Sequence, residues 1–140
     1  MKTFFTTNLI KFAITSILLT VMFRYFLSMG IANQNNILII ASALTYGILM
    51  GFSGYYFGSK EYEELPIYDI GFRWHLTTFI VHNSISVLWF VFDFQSKYET
   101  INVIYVTTIA WSVFLLIHLF IYLSMRKNAI KQLDKEELFE

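Results

Sequence analysis

The chain has no cysteine among its 140 residues, which excludes disulfides, thiolate metal sites and cysteine nucleophiles and leaves the compartment open. One proline and six glycines provide no flexible linker and no low-complexity tract, so the chain reads as one compact unit. Net charge is missing too: ten Lys and Arg balance ten Asp and Glu, and no global field points to nucleic acid or a strongly acidic partner. Charged residues make up only 14%, against 56% hydrophobic and 19% aromatic, with a mean hydropathy of +0.56. Those values lie outside the soluble range, and the bilayer is the expected solvent. The usual hydrolase, kinase, P-loop and zincin spacings do not occur, and no enzyme is expected.

What is present is a series of long apolar runs. Leu9 to Met29 reads as a retained first transmembrane helix, about the ~20 residues that a bilayer core requires. A cleaved signal peptide is the alternative, but the apolar region is too long for one. Arg24 lies late in this helix, and its long stem is expected to carry the guanidinium to the interface, an interior ion pair being the alternative. Gly30 to Asn36 forms an uncharged turn. The second helix, Ile37 to Phe57, carries a face of small residues, Ala43, Gly47, Gly51, Gly54 and Gly58, with two GxxxG spacings. Such a face admits a close neighbouring backbone, here expected to be another helix of the same chain, with a homodimer as the alternative.

Ser59 to Ile70 is expected to be a solvated loop, with Glu63 and Glu64 at ordinary carboxylate acidity. Tyr55, Tyr56, Tyr62 and Tyr68 flank it as an aromatic belt would. The organisation is therefore a helix pair over 1–58, a loop over 59–71, a second pair over 72–125 and a charged tail over 126–140. The tail is expected to continue the fourth helix and then run along or away from the membrane surface, with Ile130, Leu133 and Leu138 as a weak apolar face.

The third helix, Gly71 to Phe94, is marked by polar residues that are costly in lipid unless partnered. His75, Thr78, His82, Ser86 and Asp93 fall close to one line, with Asn83 on the flank and Trp89 beside it. The fourth helix, Ile101 to about Leu123, carries Thr107, Trp111, His118 and Tyr122 on one face. A short connection makes the two helices antiparallel neighbours. Counting from their shared end puts His118 at a depth between His75 and His82, so that three imidazoles could meet.

With the N-terminus inside, Lys2, Lys11, Lys60, Arg73, Arg126, Lys127, Lys131 and Lys135 are cytoplasmic, and only Arg24 and Lys97 lie outside. That bias predicts an all-α integral membrane protein, four transmembrane helices in an antiparallel bundle with both termini cytoplasmic. Phe72, His75, Leu76 and Asn83, followed by Trp111, Leu115 and His118, resemble the bacterial two-transmembrane (2TM) domain family over about residues 66 to 138. Ser112 stands where that family usually has Gly, and Phe79 where it often has Tyr. The resemblance implies a helix pair of the bacterial inner membrane, of no assigned function, found alone or attached to other modules.

Three functional readings follow. The first is a non-enzymatic membrane module that anchors, scaffolds or senses, offering its loop and tail to a membrane or cytoplasmic protein partner. The second is an oligomeric pore or membrane-perturbing effector assembled through the glycine face. The third is a haem- or quinone-linked redox protein. No cofactor and no metal site are read on the first; His82 with His118, or His75 with His118, is the pairing that the third would use, because His75 and His82 lie ~10 Å apart along one helix. The intramembrane cluster of His75, Thr78, His82, Asn83, Ser86, Trp111 and His118 is expected to hydrogen-bond across the helix pair.

Overall fold

The computed structural model describes residues 5–62 and 66–137, without the side chains of 67 and 128–137. Four helices follow in chain order: α1 Thr7–Ala32, α2 Asn36–Ser59, α3 Ile67–Val91 and α4 Ile101–Glu137. No strand occurs among the described residues. Each start has a local cause. The Thr6 hydroxyl accepts the Leu9 N–H at 3.1 Å to cap α1, and Asn35 Oδ1 accepts the Leu38 N–H at 3.1 Å to cap α2. Pro66 holds the chain extended immediately before α3.

The ends of α1 and α3 share one device. The Asn35 N–H reaches back to the Gly30 carbonyl at 2.8 Å, and the Phe94 N–H to the Trp89 carbonyl at 3.0 Å. The residue between helix and closing bond is left-handed in both cases, Gln34 at φ 52° and Asp93 at φ 57°. Asp93 thus stands beyond α3, exposed, and not on the polar line of that helix. Gln34 occupies a position where glycine carries no steric cost. Gln34→Gly is expected to raise stability by about 0.5–1 kcal/mol in thermal unfolding of the detergent-solubilised protein.

Some boundaries differ from the sequence reading. α3 begins four residues before Gly71, so Asp69 is helical and buried rather than in a solvated loop. It accepts Arg73 Nε–H at 2.8 Å and Nη2–H at 2.7 Å across one turn, and this fork of bonds offsets the burial of both charges. Glu61 is buried as well and accepts the Thr6 hydroxyl. Glu63 and Glu64 lie outside the described residues. At the other end, α4 continues beyond Leu123, as expected of the tail, and runs to Glu137. Leu138 and the side chains of Ile130 and Leu133 lie outside the described part, so the apolar face expected of the tail does too.

α1 is the centre of the arrangement. It packs closely on α2 and α3, α3 packs on α4, and α2 meets α3 over a short contact. α4 approaches α3 alone. α1, α2 and α3 are therefore in mutual contact, and α4 joins them through α3. Phe12 stacks on Trp74 near the start of α1 and α3, while Trp89 meets Ser28 near their ends, so these two run parallel. α2 and α4 run the other way. α1, α2 and the stretch Ile101–Lys127 of α4 are long and apolar enough to cross a membrane. α3 is not among them, since Asp69, Arg73, His75, His82 and Asn83 reduce its hydropathy.

Candidate functional site

α1 buries a polar residue every fourth position: Ser16, Thr20, Arg24 and Ser28. Ser16 and Thr20 have no exposed surface, and their small side chains let the flanking helices come close. Each larger polar group on this face has a partner on another element. The Trp89 indole N–H donates to the Ser28 hydroxyl at 2.9 Å. Arg24 is 4% exposed, its Nη2 donates to Glu99 Oε2 at 2.8 Å in the α3–α4 connection, and its guanidinium lies against the rings of Trp89 and Phe90. Glu99 Oε1 also accepts the Ser96 N–H at 2.9 Å. The carboxylate is thus held by the α3–α4 connection, ready for a cation that would otherwise be unpaired.

From Thr20 a hydrogen-bond chain leads to α3, and its direction is determined by chemistry. The Thr20 hydroxyl donates to the Ser16 carbonyl at 2.7 Å, which uses its one proton. Across the 3.1 Å contact with Tyr46 it must therefore accept, so the Tyr46 O–H donates. The Tyr46 oxygen then accepts from Nδ1–H of His82 at 3.0 Å. Three donors point one way and end on a carbonyl, which cannot pass a proton on. Phe23 stacks on Tyr46 at 4.6 Å between ring centroids and closes this side.

A second chain joins α3 to α4. Trp111 Nε1–H donates to His75 Nε2, and the Nδ1 atoms of His75 and His118 share a hydrogen bond. Indole can only donate, so His75 Nε2 is an acceptor and its proton sits on Nδ1. His118 Nδ1 accepts that proton and carries its own on Nε2. One turn along, the Thr108 hydroxyl donates to Asn83 Oδ1, and Asn83 Nδ2 donates to the Phe79 carbonyl. With Phe72 stacked on Tyr122 at 4.9 Å, these contacts trace one antiparallel register.

That register places His118 opposite His75, not between His75 and His82. The rings of His75 and His118 lie 4.7 Å apart, whereas His82 faces Trp111 at 5.3 Å and hydrogen-bonds toward α2. The three imidazoles do not form one group, and His82 and His118 have different partners. Among the described residues no three His, Asp or Glu side chains converge as a metal site would need. Thr78 donates to the Trp74 carbonyl within its own helix, and the buried Ser86 hydroxyl has no hydrogen-bond partner among the described residues. Thr107 is exposed and bonds only backbone one turn back.

The small-residue face divides in two. A Cβ on Gly54 would meet Trp74 and Phe12 at 3.7 and 3.8 Å, and one on Gly58 would meet Ile70 at 3.4 Å. Gly47 and Gly51 have nothing within 4 Å of that position, and Ala43 is exposed with them. Thr20, Arg24, Ser28, Tyr46, Glu99 and Thr108 escaped the sequence reading as site residues. The four-residue spacing on α1 was the signal for three of them; Tyr46, Glu99 and Thr108 carry none that the sequence isolates. Comparison of the chain with protein-family models, curated proteins and solved structures finds no match. Fold and site together define a class only: an all-helical protein with three membrane-length helices and interhelical polar networks.

Proposed function

We propose that this is a four-pass protein of the bacterial cytoplasmic membrane with both termini inside, a non-enzymatic module that anchors, scaffolds or senses. The observation that carries the reading is how the polar groups are used. His75, His82, Asn83, Trp111 and His118 each hydrogen-bond a side chain on another helix, as groups in lipid must. The His82 chain ends on a carbonyl, which suits a latch better than a reaction centre. α3 as the fourth span is supported by its length, ~37 Å for 25 residues, against a core of ~30 Å. The distribution of Lys and Arg supports the orientation. The contacts of His75 with His118 and Trp111 join residues of the 2TM-like pattern, which supports membership of that family over residues 66 to 138.

Reporter fusions test the topology. Alkaline phosphatase fused after Asn35 or Lys97 is expected to be active, and after Lys60 or Glu140 inactive. An inactive Lys97 fusion would leave α3 on one side of the membrane and end the four-pass reading.

A second reading, a homo-oligomer assembled through α2, is favoured by the open space beside Gly47 and Gly51. In that case the detergent-solubilised protein sediments as an oligomer, and Gly47→Leu with Gly51→Leu returns it to a monomer. A monomeric wild type removes this reading.

A further inference from the structure

We infer that the His75, His118 and Trp111 cluster is a proton-operated switch in which uptake of one proton releases the Trp111 indole from His75. This goes beyond the topology and role proposed above and needs only the contact between α3 and α4. Fusion mapping can therefore fail without touching it, and the reverse.

The two neutral imidazoles have four ring nitrogens, two carrying protons and two carrying lone pairs. Both lone pairs are occupied: His75 Nε2 holds the indole N–H, and His118 Nδ1 holds the His75 N–H. Indole cannot reverse its role, so the order of donors is unique. An added proton finds no free lone pair in the cluster and must displace a hydrogen bond. A charge-assisted N–H···N bond between the rings survives when the added proton ends on His75 Nε2: His75 is then protonated on both nitrogens and donates to His118 Nδ1, or the bridging proton moves across so that His118 is protonated on both and donates to His75 Nδ1. In either form the His75 Nε2–H stands opposite the indole N–H, and two donors face each other. One N–H bond has been added, the pair has gained one positive charge and Trp111 has lost its acceptor.

The surroundings allow this. His75 is partly exposed and borders a cleft of about 260 Å³ between α2 and α3, through which a proton can reach it and where Tyr55 and Tyr62 are the titratable neighbours. On α4 the next titratable group is Tyr122, stacked on Phe72 and accepting from Arg126 at 3.4 Å. On α3, Arg73 is bonded to Asp69, and His82 faces the Trp111 ring while its Nδ1–H is given to Tyr46. From α1, Phe12 lines the cleft and brings no charge. Trp111 also packs edge-on against Phe79 at 5.8 Å, so release of its N–H loosens the α3–α4 contact where the two helices are held.

Indole N–H resonances of the full-length protein, labelled with ¹⁵N-tryptophan and placed in lipid nanodiscs, test the switch. The Trp111 signal, assigned by its loss in Trp111→Phe, is expected to move as pH falls from about 8 to 4. The Trp89 signal, bonded to a serine, should stay. In His75→Gln with His118→Leu the movement should be lost, because the Gln amide oxygen offers the indole an acceptor that does not titrate. If that double variant fails to fold, His75→Gln alone serves for the same reason. His82→Gln should leave the movement intact. A Trp111 signal that is constant over the range in the wild type, or that still moves in the double variant, overturns the proposal.

Discussion

Arg24→Leu is expected to cost about 3–5 kcal/mol of stability, the largest effect of any single substitution considered for this chain. The side chains of Arg24 and Glu99 are 4% and 6% exposed. Removing the guanidinium leaves a carboxylate enclosed by α1, the end of α3 and the connection, with only the Ser96 N–H to satisfy it. Glu99→Gln makes the opposite fault, leaving a buried cation against Trp89 and Phe90. Arg24→Lys does not repair the site, because an ammonium is a compact, strongly hydrated point charge without the weakly hydrated planar face that guanidinium presents to the rings of Trp89 and Phe90. Replacing both partners, as in Arg24→Met with Glu99→Leu, should recover most of the loss, since burial of two charges is itself costly. Unfolding by sodium dodecyl sulfate titrated into detergent micelles measures all four variants, and the double variant is expected to be more stable than Arg24→Leu alone. A loss below about 1 kcal/mol for Arg24→Leu would mean a solvated pair worth what a surface ion pair is worth, and the enclosed geometry would be wrong.

Arg24 also shows why part of the site was legible in the sequence and part was not. The spans, the turn after α1 and the polar marking of α3 follow from composition and spacing. Which anion a cation in an apolar helix meets depends on packing, and Glu99 lies 75 positions along the chain. Only packing brings it near. The depth of His118 was misjudged for a smaller reason: α3 ends at Val91 rather than Phe94. Three residues at ~1.5 Å each shift the register by ~4.5 Å, which is enough to move His118 from between two histidines to a place opposite His75. The glycine face was read from periodicity alone, which describes one helix and says nothing of how much of it a neighbour covers. α2 meets α3 over a short length only, so Gly54 and Gly58 touch Trp74 and Ile70 while Gly47 and Gly51 face open space.

Tyr46→Phe should cost roughly 1–2 kcal/mol, more than the ~0.6 kcal/mol average of a hydrogen bond between membrane helices, because one hydroxyl serves two bonds. Phe keeps the stacking on Phe23 and removes only the oxygen, so packing cannot account for the loss. The His82 N–H then has no acceptor and Thr20 no donor. The direction of the chain makes the double variants informative. Once the hydroxyl is gone, His82 is already orphaned, so adding His82→Leu should cost little more and could recover part of the loss. Thr20→Val removes the acceptor of the Tyr46 proton and should be costly alone, yet add little to Tyr46→Phe. Thr20→Ser keeps the hydroxyl and should stay near wild type. Additive losses for Tyr46→Phe with His82→Leu would mean that the two side chains act independently. The chain from α3 through α2 to the backbone of α1 would then not be the unit that holds those three helices in register.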